Sequence, residues 1–338
     1  MRLDASLPSG DLREVGEAAR RLEAAGVGRL WSAETQHDPF LALGAAALTT
    51  ERVGLGTAIA VAFARSPMVL AHTAWDLQRA SRGRFVLGLG TQVKAHNERR
   101  FSVPWTAPAP RMREVVLALR AIWACWGKGE RLDFRGRHYR FDLMSPFFQP
   151  PPIEHPDIPI HLAAVNATMC ETAGAVADGL LVHSFHSPRY LRQVVLPAVE
   201  HGLRESGRTR AKFSLHGRVF AVAGDTPDEL AKARAAVRRQ IAFYASTRTY
   251  ARVLAVHGWE ELTGRLHPLS LRGEWTAMEE LITDEMLEAF SVSGTWKELG
   301  AKVRARYDGL LDAASLYHTI ALASDDPRWR VLVDAFRA

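Results

Sequence analysis

The side chains best suited to chemistry fall in two short polar stretches. In the first, Glu34, Thr35, Gln36, His37 and Asp38 follow a short apolar run, and His37 has the one side chain type that gives or takes a proton near neutral pH. In the second, Thr91, Gln92, Lys94, His96 and Asn97 form a cluster of hydrogen-bonding groups. They come after Gly88 and Gly90, which remove side chains where something must approach the backbone closely. His183 and His186 lie farther along the chain. Together these residues could orient a polar ligand and move a proton on it. The plainer reading of the second stretch is a glycine-softened strand followed by a solvated loop.

Such groups act only if secondary structure holds them at one rim. Phe85 to Leu89 is an apolar run with no polar residue to face solvent, so it reads as a strand buried on both sides. Arg2 to Leu7, Gly28 to Ala33 and Val53 to Ala62 read as the strands before it, separated by helical segments. Asp11, with Glu14 three residues on, reads as a capping box for the first helix. Phe40 to Leu48 is an almost wholly apolar helix that something must cover, a subunit partner being one candidate. A long helix spans Arg111 to Trp126, and the alternation resumes with strands at Ile160 to Ala164, Leu180 to His183, Phe213 to Ala223 and Ala313 to Ile320. Eight strands in βα order predict a (β/α)8 barrel forming one domain over 1–338. Two insertions interrupt it: 127–159, partly a hairpin, and 246–312, irregular and helical. An open doubly wound sheet is the alternative, but no G-x-G-x-x-G follows Leu7.

Composition narrows the partners. The chain has 338 residues, 47% of them hydrophobic, and a net charge of +6 from arginines scattered over helices, which argues only weakly for nucleic acid. Cys125 and Cys170 are too few for a disulfide framework. No long apolar h-region or membrane-length span is present, so a cytoplasmic protein with neither export signal nor membrane anchor is expected.

In a barrel, chemistry is built just past the carboxyl ends of the strands. A glycosidase needs carboxylates facing each other, yet Glu34 and Asp38 share one loop. A metal hydrolase needs ligands gathered from several strands, and His37, His96 and His183 stand apart with no His-x-His, so no metal is expected. Small neutral strand ends, Ala58, Ile59, Ala60, Ala163 and Ala164, leave room for a flat cofactor.

GTAIAVAFARSP after the third strand, GLGTQVKAHNERRF after the fourth and HLAAVNATMCETAGAVADGLLVHSF across the fifth and sixth resemble the bacterial luciferase-like flavin and deazaflavin oxidoreductases. ETQHDPF, RMREVVLALRAIW and RQIAFYAST look like the coenzyme F420-dependent branch. The resemblance implies a luciferase-like (β/α)8 barrel, usually a homodimer, with F420 across the mouth, or FMN in a monooxygenase alternative. Carried over by position, it makes His37 the imidazole facing the reactive carbon. Ala58 and Ile59, followed by Ala60, become a non-prolyl cis peptide bulge behind the ring. Thr91 and Asn97 hold the pyrimidine end, Gln92 between them also belongs to the cofactor site, and Ala164, Val165, Asn166, Ala167 and Thr168 hold the phosphate tail. Two departures stand out: the acid position in the loop after Thr91 is not an acid, and Asn166 replaces the usual glycine. Glu34, His96 and His183 are placed at the substrate pocket, although Glu34 also reads as a hydrogen-bond partner within its loop and His96 as a solvated side chain. Arg65, Arg99 and Arg100 could attract a polyanionic tail, or be scattered surface charge. Phe147, Phe148, Tyr244, Tyr250 and Trp275 in the insertions suit an apolar or planar ligand or an aromatic core. A non-catalytic barrel with a closed mouth is the reading from another class.

Overall fold

A computed structural model describes residues 1–318 and 322–337. Eight parallel strands, Arg2–Ser6, Arg29–Ser32, Gly54–Thr57, Phe85–Gly90, Ile160–Ala164, Gly179–Val182, Ser214–Ala223 and Ala313–His318, pair in chain order, and the eighth returns to the first. The ring is a (β/α)8 barrel. Alternation along the strands divides their side chains between two environments. Leu3, Leu30, Leu55, Leu87 and Leu162 point outward into the core shared with the helices. Trp31, Val86 and Leu181 point inward, packing with Ala58, Ile59 and Ala163. Lower in the barrel, the fully buried Asp4 carboxylate accepts from Arg2 Nε at 2.7 Å and Trp31 Nε1 at 3.0 Å.

Helix starts are fixed by local chemistry. Asp38 accepts from the Phe40 amide at 2.8 Å and opens the helix Pro39–Thr49, which places His37 one residue ahead of the cap. Phe40, Leu43 and Ala46 of that helix are buried, whereas Leu41 and Leu48 are 61% and 83% exposed. Asp11 caps its helix by accepting from the Arg13 amide, without the reciprocal Glu14 bond expected of a capping box. Reciprocal boxes form instead at Thr226/Glu229 and Thr295/Glu298. The helical stretch from Pro188 contains a π turn at Leu191–Val195, ahead of Pro197, whose ring nitrogen has no amide hydrogen to donate.

Two sequence expectations need revision. The run Val53 to Ala62 is two strands, Gly54–Thr57 and Ala60–Val61, separated by a cis peptide between Ala58 and Ile59. The second insertion is not wholly irregular and helical. Its segment Ser291–Gly294 is a strand, and Phe220 pairs with both Ser291 and Tyr317, so this strand lies on the edge of Ser214–Ala223 opposite the eighth. Four residues, SVSG, are too short to carry a readable alternation. The eighth strand is described to His318; Thr319 and Ile320 lie outside the described residues. The first insertion does carry a hairpin, Phe134–Arg135 against Arg140–Phe141.

Candidate active site

The mouth is shaped first by the break in the third strand. The Ala58 amide donates to Ser32 O at 2.7 Å, and the Glu34 amide to Ile59 O at 3.1 Å. The Glu34 carboxylate then accepts from the Val61 amide and from Arg65 Nη1, both at 2.7 Å, while Arg65 Nη2 reaches Asp38 at 2.9 Å. Glu34 therefore clamps the segment after the cis peptide, and its side chain is only 7% exposed. Arg65 is committed to these two acids, which removes it from the groups available to a polyanionic tail.

The glycines of the fourth strand serve neighbouring protein atoms rather than a ligand. A Cβ on Gly88 would lie 1.8 Å from Thr57 O, and one on Gly90 2.8 Å from the Ile59 side chain. The close approach to the backbone expected at these glycines is therefore made by protein. The close approach is that of the bent third strand.

Beyond Gly90 the chain turns through Gln92, whose φ of 59° is left-handed, into a short helix, Lys94–Arg99. Thr91 Oγ1 donates to Gln92 O at 3.0 Å, and Gln92 Oε1 accepts from the Val93 amide at 3.0 Å. Asn97 is fully buried, its Nδ2 donating to Thr91 O at 2.8 Å and Val93 O at 3.1 Å. Its Oδ1 has no partner among the described residues. A buried amide oxygen left open is an acceptor awaiting a donor. His96 is exposed on this helix, and Arg100 Nη2 donates to Thr35 O at 2.5 Å, tying this loop to the one that carries His37.

At the end of the neighbouring fifth strand Ala164 is buried, and Val165 O accepts from the Tyr190 hydroxyl at 2.6 Å. Asn166 caps the helix Ala167–Val176 by accepting from the Met169 amide at 2.9 Å. The amides of Ala167 and Thr168 occupy the first turn, where no intrahelical acceptor exists.

His37 is exposed and lines a cavity of about 330 Å³ with Ser6, Trp31, Ala33, Thr35 and Arg218. A second cavity, about 750 Å³, shares Ser6 to Gly10 and Arg218 with it. Arg218 escaped the sequence reading. Its signal was present in SLHGRVFAVA, where a single arginine at the inward parity of His216 and Phe220 interrupts a strand otherwise without formal charge.

His183 sits deeper, among aromatic rings. Its Nδ1 accepts from the Phe185 amide at 3.1 Å and its Nε2 lies 3.4 Å from the Tyr250 hydroxyl, with the rings of Tyr244 and Tyr250 centred 4.6 and 4.7 Å away. Burial, with help from His186 and Arg218, pushes its pKa down to about 3, so it is neutral at physiological pH. His186 is buried behind it against Tyr307, and burial pushes it down to about 4. Tyr250 of the second insertion and Tyr244 of the helix before it reach this cluster, whereas Phe147 and Phe148 are 88% and 69% exposed.

The strand ends thus supply a bent strand, one unpartnered buried acceptor, a helix N-terminus and an accessible imidazole. A planar heterocycle carrying an N–H donor and an anionic tail fits that donor set. Comparison with known proteins gives the family. The chain is 49% identical over 312 residues, 92% of each chain, to the "Uncharacterized protein Rv1360" of Mycobacterium tuberculosis. It is 29% identical to the 5,10-methylenetetrahydromethanopterin reductase of Archaeoglobus fulgidus over 74% of this chain and 72% of that one. Its fold is like that of the coenzyme F420-dependent tetrahydromethanopterin reductase from Methanopyrus kandleri, with a TM-score of 0.79, 20% identity and coverage of 99% and 97%. It is also like that of the oxygenating constituent of 3,6-diketocamphane monooxygenase from Pseudomonas putida in complex with FMN, with a TM-score of 0.66, 14% identity and coverage of 99% and 97%. Residues 2–313 match the luciferase-like monooxygenase family, and the chain belongs to that family.

Proposed function

We propose that this protein is a coenzyme F420-dependent oxidoreductase that transfers a hydride between the deazaflavin and a small organic substrate. The observation that carries the reading is the open Asn97 Oδ1, buried at a mouth whose third strand is bent back by the Ala58–Ile59 segment. Ala58, Ile59 and Ala60 would back the ring, and Thr91, Gln92 and Asn97 would hold its pyrimidine end. Ala164, Val165, Asn166, Ala167 and Thr168 would hold the tail. When bound, F420 supplies a two-electron hydride donor or acceptor that, unlike FMN, does not activate oxygen. The chain supplies orientation and a proton: the His37 imidazole gives one to the substrate atom that gains electron density, or takes one in the reverse direction. Glu34 belongs to the pocket through the wall it braces, His96 through its exposed edge on the Lys94–Arg99 helix, and His183 as a neutral group behind the aromatic lining. A homodimer is proposed on the exposed Leu41 and Leu48 of the apolar helix.

The reductases of the tetrahydromethanopterin type among the relatives support the deazaflavin. An FMN-dependent monooxygenase is the second reading, favoured by the fold shared with the FMN complex. Parallel titrations of the purified protein with F420 and FMN separate the two. Tighter binding of F420 supports the proposal, and tighter binding of FMN with oxygen consumption upon reduction overturns it.

A further inference from the structure

The eight barrel strands carry one acid, Asp4, and it is spent on Arg2 and Trp31. Arg218, in the seventh strand and facing the same interior, has no share in it. Its Nε is buried without an acceptor, and among the described residues no carboxylate forms an ion pair with it. Its guanidinium lies over the Tyr317 ring, 4.3 Å from the centroid. Stacking of this kind covers one face of the group and leaves the in-plane N–H donors free. Those donors adjoin the space beside His37, because Arg218 lines both that cavity and the larger one next to it. A guanidinium taken out of water without a counter-charge is costly to the fold, and an anion entering the cavity offsets that cost.

We infer that Arg218 is the recognition site for a planar monoanion, a carboxylate on a small substrate, which it orients toward the side of the mouth occupied by His37. A carboxylate matches the fork of one guanidinium with two parallel hydrogen bonds. A phosphate dianion calls for more positive charge than the His37 cavity holds, where Arg218 is the lone Lys or Arg among the lining residues and Asp38 is also present. Among the lining residues Trp31 supplies an aromatic ring, which favours an unsaturated or aromatic acid. That this acid is the substrate rests on the oxidoreductase reading; the anion site itself does not.

The test is calorimetric titration of the full chain, free of coenzyme and again with F420, using benzoate, its neutral isostere benzamide, and inorganic phosphate as probes. Wild-type protein is expected to bind benzoate at least about tenfold more tightly than benzamide and more tightly than phosphate, the scale of one bidentate charge-assisted contact. Arg218→Met should abolish the preference for benzoate, and Arg218→Lys should keep a reduced one, while F420 affinity stays within about threefold, too small a change for a lost charge-assisted contact. Equal binding of benzoate and benzamide by the wild type overturns the inference whether or not the variants fold. A preference that survives in Arg218→Met, or phosphate binding above benzoate, overturns it as well. If F420 fails to bind but the Arg218-dependent preference remains, the coenzyme reading falls and the anion site stands.

Discussion

At the scale of single residues, the proposal turns on His37 and Asn97, which do different jobs. His37 is solvent-accessible on the cavity, and Asn97 is locked by two carbonyls with one lone acceptor left over. Replacing His37 by Ala is expected to lower kcat by about 10²- to 10⁴-fold, the usual worth of a positioned acid or base, with little change in the Kd for F420. Unchanged turnover would remove it from the mechanism. Asn97→Ala should do the reverse. The loop loses its two tethers at a cost of about 1–3 kcal/mol in thermal unfolding, and coenzyme affinity falls with kcat less affected. The sequence singles these two side chains out by their polar stretches and by the family resemblance. Arg218 is not legible there, since its meaning comes from Asp4 being engaged elsewhere, a fact of three dimensions.

At the scale of elements, the mouth depends on how the third strand is bent and braced. Glu34 reads in the sequence more as a hydrogen-bond partner within its loop than as an acid catalyst, and the fold gives it partners beyond that loop, the Val61 amide and Arg65. Glu34→Gln is expected to destabilise by about 1–3 kcal/mol, the cost of a weakened charged hydrogen bond in a nearly buried site, and to weaken coenzyme binding through the displaced wall. Differential scanning calorimetry and F420 titration of the same variant check both. Gly88 and Gly90 were rightly singled out, but the tenant of the space they leave is the neighbouring strand. A strand break costs nothing in a hydropathy pattern, so Val53 to Ala62 reads as one strand. The apolar helix Pro39–Thr49 has Leu41 and Leu48 on the outside, and Leu48→Glu is expected to convert a dimer to monomers in analytical ultracentrifugation. A mass unchanged from that of the wild type would place the interface elsewhere.

At the scale of the whole molecule, the barrel encloses a set of imidazoles held neutral by burial. His161 is pushed well below its ordinary value by burial and by Arg29. His216 is lowered to about 4 by burial despite Asp4, beside His186 at about 4 and His183 at about 3. Each has a lower pKa folded than unfolded, so the unfolded chain takes up protons first as the pH drops. Stability is therefore full above the unfolded histidine value near 6.5 and falls as the pH descends from there toward the folded values of about 3 to 4. Melting temperatures measured across this range should drop steadily below pH 6.5, and a flat profile would contradict the buried neutral state. The βα rhythm made the barrel readable from sequence at this scale, because buried parallel strands are continuous apolar runs. The strand Ser291–Gly294 was not readable, being too short and too mixed to show a period.

The central claim is that a planar deazaflavin seats across the mouth, backed by Ala58–Ile59, within reach of His37. A crystal structure of the protein with F420 bound tests it most directly. The account predicts the ring over that peptide, its pyrimidine N–H on Asn97 Oδ1, and the His37 imidazole toward the reactive carbon. A ring bound elsewhere, or His37 turned away from it, would contradict the account.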